Sequence, residues 1–186
     1  MRKRLLFDEP LLKITIHRLC EQLIENHEDF SNSVIIGLQP RGIYLAQRIG
    51  NHLEKLLKKK PPMGMLDTTF YRDDFRRRDK PIEASATTIN FSIEGKKVIL
   101  IDDVLFTGRT VRSAMDAMIH FGRPDKVELL VLIDRMYSRD VPVEATYVGR
   151  RVSTVESQKV LVELKEQGSK EDKIWIVKKM KAKWKN

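Results

Sequence analysis

The stretch VILIDDVLFTGRT, residues 98–110, decides the fold class. Its first four residues are β-branched or aliphatic without interruption, which predicts a parallel strand buried on both faces. Asp102 and Asp103 follow at the end where such strands meet ligands. Two adjacent carboxylates are costly in a core but suit a sugar diol and its metal ion. We therefore expect the pair to face a solvent-filled cleft.

The residues after the acidic pair predict a phosphate-sized loop that opens a helix. The apolar face of this helix has i, i+3, i+4, i+7 spacing and consists of Val111, Ala114, Met115 and Met118. Backbone N–H groups at a helix N-terminus, the hydroxyls of Thr107 and Thr110, and Gly108 form a cradle for a phosphate dianion. A bare DD and TG would equally suit an ordinary strand–loop–helix connection. The complete string of thirteen residues favours a site.

The string resembles the phosphoribosyl pyrophosphate signature of the type I phosphoribosyltransferases, which has four apolar residues, two acidic residues and a TG loop. The resemblance implies that Asp102 and Asp103 engage the donor's ribose hydroxyls, directly or through Mg²⁺ and water. It also implies substrate contacts from Val104, Leu105, Phe106, Thr107, Gly108, Arg109 and Thr110, of which the last six wrap the 5-phosphate.

Within that group, DDVLFTGRT is most similar to the family of pyrimidine operon regulators and uracil phosphoribosyltransferases. Purine salvage enzymes usually carry an Asp just before the TG, as general base for the purine N7, and Phe106 takes that place here. Because a phenyl ring cannot accept a proton, this departure argues against purine substrates.

A second strand-to-helix turn carries Arg41 and Gly42, after the apolar run of residues 33–38. A forked guanidinium beside a glycine suits a pyrophosphate, although PRG alone is typical of turns. The resemblance implies that both residues receive the leaving pyrophosphate. Gln39 and Pro40 depart from the family's usual Lys or Ser/Thr before the Arg, which leaves the peptide geometry of the turn open.

A weakly alternating stretch, residues 65–71, predicts a strand, and the segment after it is highly charged. Such a segment cannot bury itself, so we expect it to be mobile without ligand, or to be plain surface disorder. The resemblance implies that YRDD opens a flexible hood, residues 72–88, in which Arg72 contacts pyrophosphate oxygens.

The run VELLVLID, residues 127–134, predicts another buried strand. Asp134 and Arg135 follow on the same rim as Asp102, or form a surface ion pair. The resemblance implies that this edge and residues 157–162 form a small cap that contacts the base, and we choose Arg135 and Val160 as base-side residues.

Asp8 caps a predicted helix that extends to about Asn26, and His17 and Arg18 lie off its apolar face. Their spacing is typical of a solvated surface. The resemblance implies instead that this helix borders a basic dimer surface that binds an mRNA leader, with His17, Arg18 and Arg139 as candidates.

Composition indicates one α/β domain, since the chain has 186 residues of which 41% are hydrophobic. A single cysteine excludes an internal disulfide, and no stretch is long and apolar enough to cross a bilayer, so we expect a cytoplasmic protein. The net charge of +9 lies mainly at the ends, because residues 170–186 carry +5 and residues 2–4 carry +3. The remaining body is nearly neutral, which ranks RNA regulation below enzyme activity.

We therefore expect an α/β fold with a mostly parallel sheet, helices on both faces and a small cap. Residues 1–169 would form the phosphoribosyltransferase domain, and residues 170–186 a basic extension that begins with strand-like residues 174–177. The implied reaction joins uracil to phosphoribosyl pyrophosphate with Mg²⁺, in a homodimer or higher homo-oligomer. The alternatives are an RNA-binding attenuation regulator with secondary activity, and salvage of another base.

Overall fold

The computed structural model describes residues 3–71, 86–155 and 157–178. In chain order the elements are β1 (Lys3–Phe7), α1 (Glu9–His27), β2 (Ser33–Leu38), α2 (Gly42–Leu57), β3 (Met63–Leu66), β4 (Lys97–Leu105), α3 (Arg109–Met118), β5 (Lys126–Met136), β6 (Tyr147–Ser153), β7 (Gln158–Glu163) and β8 (Lys173–Lys178). Short 3₁₀ turns lie at Thr69–Tyr71, Ile119–Phe121 and Lys165–Gln167. None of the helices in these ranges has the length and apolar character that a membrane span requires.

Five parallel strands form the central sheet, in the order β3-β2-β4-β5-β6. The chain adds β3 on one side of β2 and then crosses to β4 on the other side, so the strand order reverses between β2 and β4. Open α/β sheets bind ligands at the carboxyl ends of the strands beside such a reversal. Residues 39–42 follow β2 and residues 106–108 follow β4, so both loops singled out in the sequence lie at this crevice.

The unbroken apolar run of β4 is explained by burial on both faces of the sheet. Ile99 and Ile101 pack in a cluster with α1 and α2, whereas Val98 and Leu100 pack in a second cluster with α3, and all four are fully buried. Successive strand residues point to opposite faces of the sheet, and helices cover both faces, so every residue in this part of β4 is apolar. The predicted fold class, a parallel sheet with helices on both faces, is confirmed.

The other three strands form a small antiparallel sheet in the order β1-β8-β7, here called the cap sheet. Its inner residues share the core cluster of α1 and α2. Arg48 of α2 fixes the turn between β7 and β8, because its guanidinium donates to both carboxylate oxygens of Asp172, at 2.7 and 2.9 Å, and to both of Glu166. Paired planar contacts of this kind set orientation as well as distance, so they fix the cap sheet against α2.

Three local predictions are wrong. The strand predicted over residues 65–71 forms earlier, at Met63–Leu66, because Asp67 then accepts the backbone N–H of Thr69 and turns the chain. Met115, predicted on the buried face of its helix, is 36% exposed. The strand expected to end before the acidic pair continues to Leu105, because β5 has eleven residues and pairs with β4 along this length.

The ends of the chain contribute more to the sheets than the pattern suggested. The strand-like residues 174–177 do form β8, which is paired on both sides within the cap sheet. Strands β1 and β6 were not predicted. In β6, Arg150 and Arg151 are exposed on an edge strand, and charged edge residues hide the alternation that marks a strand.

Candidate active site

Asp102 and Asp103 lie inside β4 near its carboxyl end and have different surroundings. Asp102 is half-buried, and its Oδ1 accepts the backbone N–H of Asp103 at 2.8 Å. Asp103 is 7% exposed, and its Oδ2 has no hydrogen-bond partner. Burial raises the pKa of Asp103, and the Arg41 guanidinium, 4.0 Å from Oδ2, opposes the shift. The expectation that both carboxylates face solvent is wrong for Asp103, and a buried acceptor without a partner marks a place for a ligand.

The turn formed by residues 39–42 lies directly against this acidic pair. A β-carbon at Gly42 would lie 2.3 Å from the carbonyl oxygen of Ile101 and 3.2 Å from Oδ1 of Asp102, so only glycine permits this approach. The peptide between Gln39 and Pro40 is cis. The side chain of Arg41 is half-exposed beside Asp103. The turn therefore places a cation next to the carboxylates, where an anionic group of a ligand would meet it.

Residues 105–110 carry the end of β4 into α3, as predicted. Gly108 caps α3 with a φ of 87°, a conformation that favours glycine, and a β-carbon there would lie 3.1 Å from the carbonyl oxygen of Val141. The N–H groups in the first turn of a helix have no acceptor within the helix, and the helix dipole favours an anion at that end. Thr107 adds a hydroxyl, which the N–H of Arg109 reaches at 3.5 Å. This loop suits a phosphate.

Arg135 joins the loop to the cap sheet. Its guanidinium carbon lies 3.8 Å from the centre of the Phe106 ring, while Nε donates to Thr154 Oγ1 at 2.9 Å and Nη2 to the carbonyl of Gln158 at 3.0 Å. It is 4% exposed, and burial lowers its pKa. Arg135 is thus a buried side chain near the end of β5 that contacts the first residue of β7, Gln158, two residues before Val160, and it does not form the surface ion pair considered above.

Comparison with known proteins shows the family to which the chain belongs. The model of the phosphoribosyl transferase domain matches residues 5–167. The chain belongs to the phosphoribosyl transferase domain family. Among curated relatives, "Bifunctional protein pyrR" of Enterococcus faecalis (strain ATCC 47077 / OG1RF) is 41% identical over 178 residues, which span 96% of this chain and 98% of the relative. "Bifunctional protein PyrR" of Bacillus subtilis (strain 168) is 39% identical over 168 residues, 89% and 92% of the two chains. The resemblance drawn from the signature stretch is confirmed.

Solved phosphoribosyltransferases share the fold. The hypoxanthine phosphoribosyltransferase of Trypanosoma cruzi has a TM-score of 0.71 at 16% identity and covers 95% of this chain and 97% of its own. A hypoxanthine-guanine phosphoribosyltransferase from Bacillus anthracis has a TM-score of 0.68 at 18% identity and covers 95% and 99%. At these identities the likeness concerns the backbone and leaves the base specificity of this phosphoribosyltransferase to its own residues.

Most of the site residues predicted for this phosphoribosyltransferase come together at the crevice. The 39–42 turn, the acidic pair and the 105–110 loop meet between β2 and β4. Arg72 and most of the predicted hood lie outside the described residues. Val160 is half-buried in β7 and packs against the core cluster of the cap sheet. His17 and Arg18 lie on the exposed side of α1, and the guanidinium of Arg139 is directed into the molecule.

The contacts behind the loop of this phosphoribosyltransferase were missed. The N–H groups of Asp140 and Val141 donate to the carbonyl of Thr107 at 2.9 and 3.0 Å. Thr154 and Gln158 hold Arg135 through a hydroxyl and a carbonyl. Most of these partners are main-chain groups, which leave no side-chain pattern, and a lone threonine hydroxyl carries no distinctive signal in the sequence.

Proposed function

We propose that this protein transfers the phosphoribosyl group of phosphoribosyl pyrophosphate to N1 of uracil and releases UMP and pyrophosphate. The observation that carries the proposal is the unpartnered Oδ2 of Asp103, buried beside Arg41 at the strand reversal. A ribose hydroxyl would supply the missing hydrogen-bond donor, and Arg41 would meet the pyrophosphate on the same sugar. The similarity to proteins named PyrR over nearly the whole chain supports this choice.

Catalysis in this proposal depends on position and charge. As the bond between C1 and pyrophosphate lengthens, positive charge grows on the ribose ring and negative charge on the leaving group. Asp102 and Asp103 hold the ring and favour its positive charge, while Arg41 stabilises the pyrophosphate. We assign the same role to Arg72, which lies outside the described residues.

The acidic pair fits Mg²⁺ that binds together with the substrate. Mg²⁺ prefers oxygen ligands and usually takes one or two carboxylates, waters and substrate phosphates. The described residues include no group of three or more His, Cys, Asp or Glu side chains able to hold a metal ion. Asp102 and Asp103 would therefore hold Mg²⁺ together with the donor's oxygens and water, and the ion would neutralise charge on the pyrophosphate.

The base side favours a pyrimidine. Phe106 stands where a purine enzyme needs a proton acceptor, and Arg135 covers one face of its ring. We assign Arg135 and Val160 to the base side because the hydrogen bond from Arg135 to Gln158 brings β5 and β7 together there.

A panel of bases tests the enzyme proposal. Uracil, orotate, hypoxanthine, guanine and xanthine are each incubated with phosphoribosyl pyrophosphate, with and without Mg²⁺. We expect rapid nucleotide formation only with uracil and Mg²⁺. A purine or orotate product formed at a rate comparable with UMP would contradict the proposed substrate.

Regulation of pyrimidine operon mRNA is a second candidate function, favoured by one surface. The exposed Arg18 of α1 donates to the carbonyls of Val148 and Gly149 in β6, at 3.1 and 2.8 Å, which brings it beside the exposed Arg150 and Arg151. Arg18 thus lies at the edge strand that carries two further exposed arginines. Arg150 Nη1 donates to the carbonyl of Leu6, and Arg151 Nε lies 3.7 Å from Asp134 Oδ2, on the other face of the strand. Exposed cations favour RNA phosphates, and Arg18 and Arg150 are the pair on the side of α1.

Binding to a pyrimidine-operon leader transcript tests this second function. We expect UMP to enhance the binding and added salt to weaken it, and Arg18→Gln to reduce it, with Arg123→Gln as a control on a distant exposed arginine. Equal affinity for the leader and for an unrelated RNA of the same length would refute specific regulation.

We further propose a homodimer or a higher homo-oligomer. Leu11 and Ile14 are 40% and 66% exposed and follow one stripe of α1 with Arg18. An apolar stripe of this kind suits contact with a second copy, and sedimentation at micromolar concentration would show a monomer if the assignment is wrong. For this salvage enzyme we expect a cytoplasmic location, which cell fractionation tests.

A further inference from the structure

A short segment after β5, residues 139–143, packs against the back of the 105–110 loop. The backbone N–H groups of Asp140 and Val141 both donate to the carbonyl of Thr107, and Asp140 Oδ2 accepts from Nε of Arg109 at 3.0 Å. The carbonyl of Val141 also occupies the space that a side chain at residue 108 would need. The conformation of the loop therefore depends on this segment.

Arg139 is the side chain that holds the segment to the loop. Its Nη1 donates to the carbonyls of Phe106, at 2.5 Å, and Arg135, at 2.9 Å, and its Nε donates to the carbonyl of Val143 at 3.1 Å. Its Nη2 donates to Asp134 Oδ1. One guanidinium thus connects the loop, the end of β5 and the segment itself.

We propose that Arg139 is a positioning residue for the 5-phosphate of the donor and of UMP. By holding the carbonyl of Phe106 it fixes the 105–110 loop in the conformation that presents its N–H groups to the phosphate. The inference rests on the proposed function of this loop and replaces the assignment of Arg139 to RNA. A guanidinium whose Nε, Nη1 and Nη2 already donate within the chain is poorly placed to reach RNA phosphates as well.

The chemistry of the side chain makes the inference specific. Only a planar fork with five N–H donors can reach four acceptors in these directions, whereas an ammonium group has three donors at one point. Lysine at this position would keep the ion pair with Asp134 but would lose part of the contact with the loop. Glutamine would lose the charge and most of the contacts.

The test compares two ligands that differ only in the phosphate. Affinities of UMP and uridine are measured by calorimetry, without RNA, for the wild-type protein, Arg139→Lys, Arg139→Gln and the control Arg123→Gln. For Arg139→Gln we expect UMP binding to weaken about tenfold and uridine binding to change by less than about twofold. Arg139→Lys should lie between, and the control should match the wild-type protein.

The outcomes separate the inference from the proposed function. If folded Arg139 variants keep the wild-type ratio of UMP to uridine affinity, the positioning role is refuted. The same conclusion follows if both affinities fall equally, since that indicates a general structural loss. If the wild-type protein itself binds UMP no better than uridine, the proposed phosphate site fails instead. Urea unfolding of each variant shows which are folded, and Arg139→Lys serves if Arg139→Gln is not.

Discussion

Replacing Asp103 by Asn is expected to stabilise the protein while it removes most of the activity. Asn has nearly the volume of Asp but no charge, and Oδ2 of Asp103 is buried without a hydrogen-bond partner. Because burial raises the pKa of Asp103 above its ordinary 3.8, the folded carboxyl holds its proton to higher pH than the unfolded one. The cost of the ionised group therefore appears as the pH rises above 3.8 and is complete above the folded pKa.

The size of the effect follows from two opposing contributions. A buried polar group that lacks a partner costs about 1–3 kcal/mol. The half-exposed Arg41, 4.0 Å away, offsets less than about 1 kcal/mol of this cost, since such contacts are screened by solvent. The Asn amide keeps some unsatisfied hydrogen-bonding capacity, so we expect a net gain of about 1 kcal/mol, which raises Tm by about 2–4 °C in a chain of this size. UMP formation should fall about 10–100-fold because a charged acceptor for the sugar is lost.

Thermal unfolding of the ligand-free protein at pH 8 and at pH 5, together with UMP assays, measures both effects. The gain should be smaller at pH 5 than at pH 8, because the cost of the ionised carboxyl grows as the pH rises above 3.8. Asp102→Asn is the matched control, because the half-buried Asp102 accepts a hydrogen bond from the backbone, and we expect lower activity without a higher Tm. A folded Asp103→Asn protein with an unchanged or lower Tm at pH 8 would refute the reasoning about its charge, and a normal rate would refute its role.

Three other substitutions test the contacts that stabilise the fold and the turn beside the acidic pair. Arg48→Ala should reduce the free energy of unfolding in urea by about 2–4 kcal/mol, because buried Asp172 loses its ion-pair partner and keeps only the backbone N–H of Lys165, and Arg48→Lys should recover only part of this loss. Burial lowers the pKa of His27, so as the pH falls the unfolded chain binds a proton at a higher pH than the folded protein does. The free energy of unfolding should therefore decrease as the pH drops below 6.5, and His27→Gln should make it depend less on pH in this range. Gly42→Ala should cost about 1–3 kcal/mol and raise the KM for the donor, because its β-carbon would overlap the carbonyl of Ile101.

The fold was predictable where one physical cause dominates. A strand buried on both faces must be apolar throughout, so β2, β4 and β5 were all located from their sequences. Helix α1 was located because Asp8 caps it and accepts the N–H of Leu11. Strand β6 was missed because its position at the sheet edge exposes charged residues and breaks the pattern.

The site was predictable only in the parts that depend on side-chain type. The acidic pair, Arg41 and Gly108 could be predicted because carboxylates, a guanidinium and a glycine at strand-to-helix turns are typical of sites for sugars and phosphates. The sequence carried no sign that Asp103 is buried while Asp102 is half-buried, because adjacent strand residues face opposite sides of the sheet and their burial depends on what covers each side. Arg139 was an RNA candidate only through the resemblance, and the sequence carried no sign of its inward contacts because they are mostly with backbone carbonyls.

The two ends of the central sheet show why burial alone does not identify a site. At the amino ends of the strands, buried His27 contacts Ser33 Oγ at 2.8 Å and Glu128 Oε2 at 2.9 Å, and Tyr147 donates to the same carboxylate. Each of these polar groups has a partner within the chain, so the cluster stabilises the fold and needs no ligand. At the carboxyl ends, Asp103 is equally buried and its Oδ2 has no partner. Glu128 and Asp103 both interrupt apolar strands in the sequence. Only the hydrogen bonds around them show that Glu128 stabilises the fold and that Asp103 is available to a ligand.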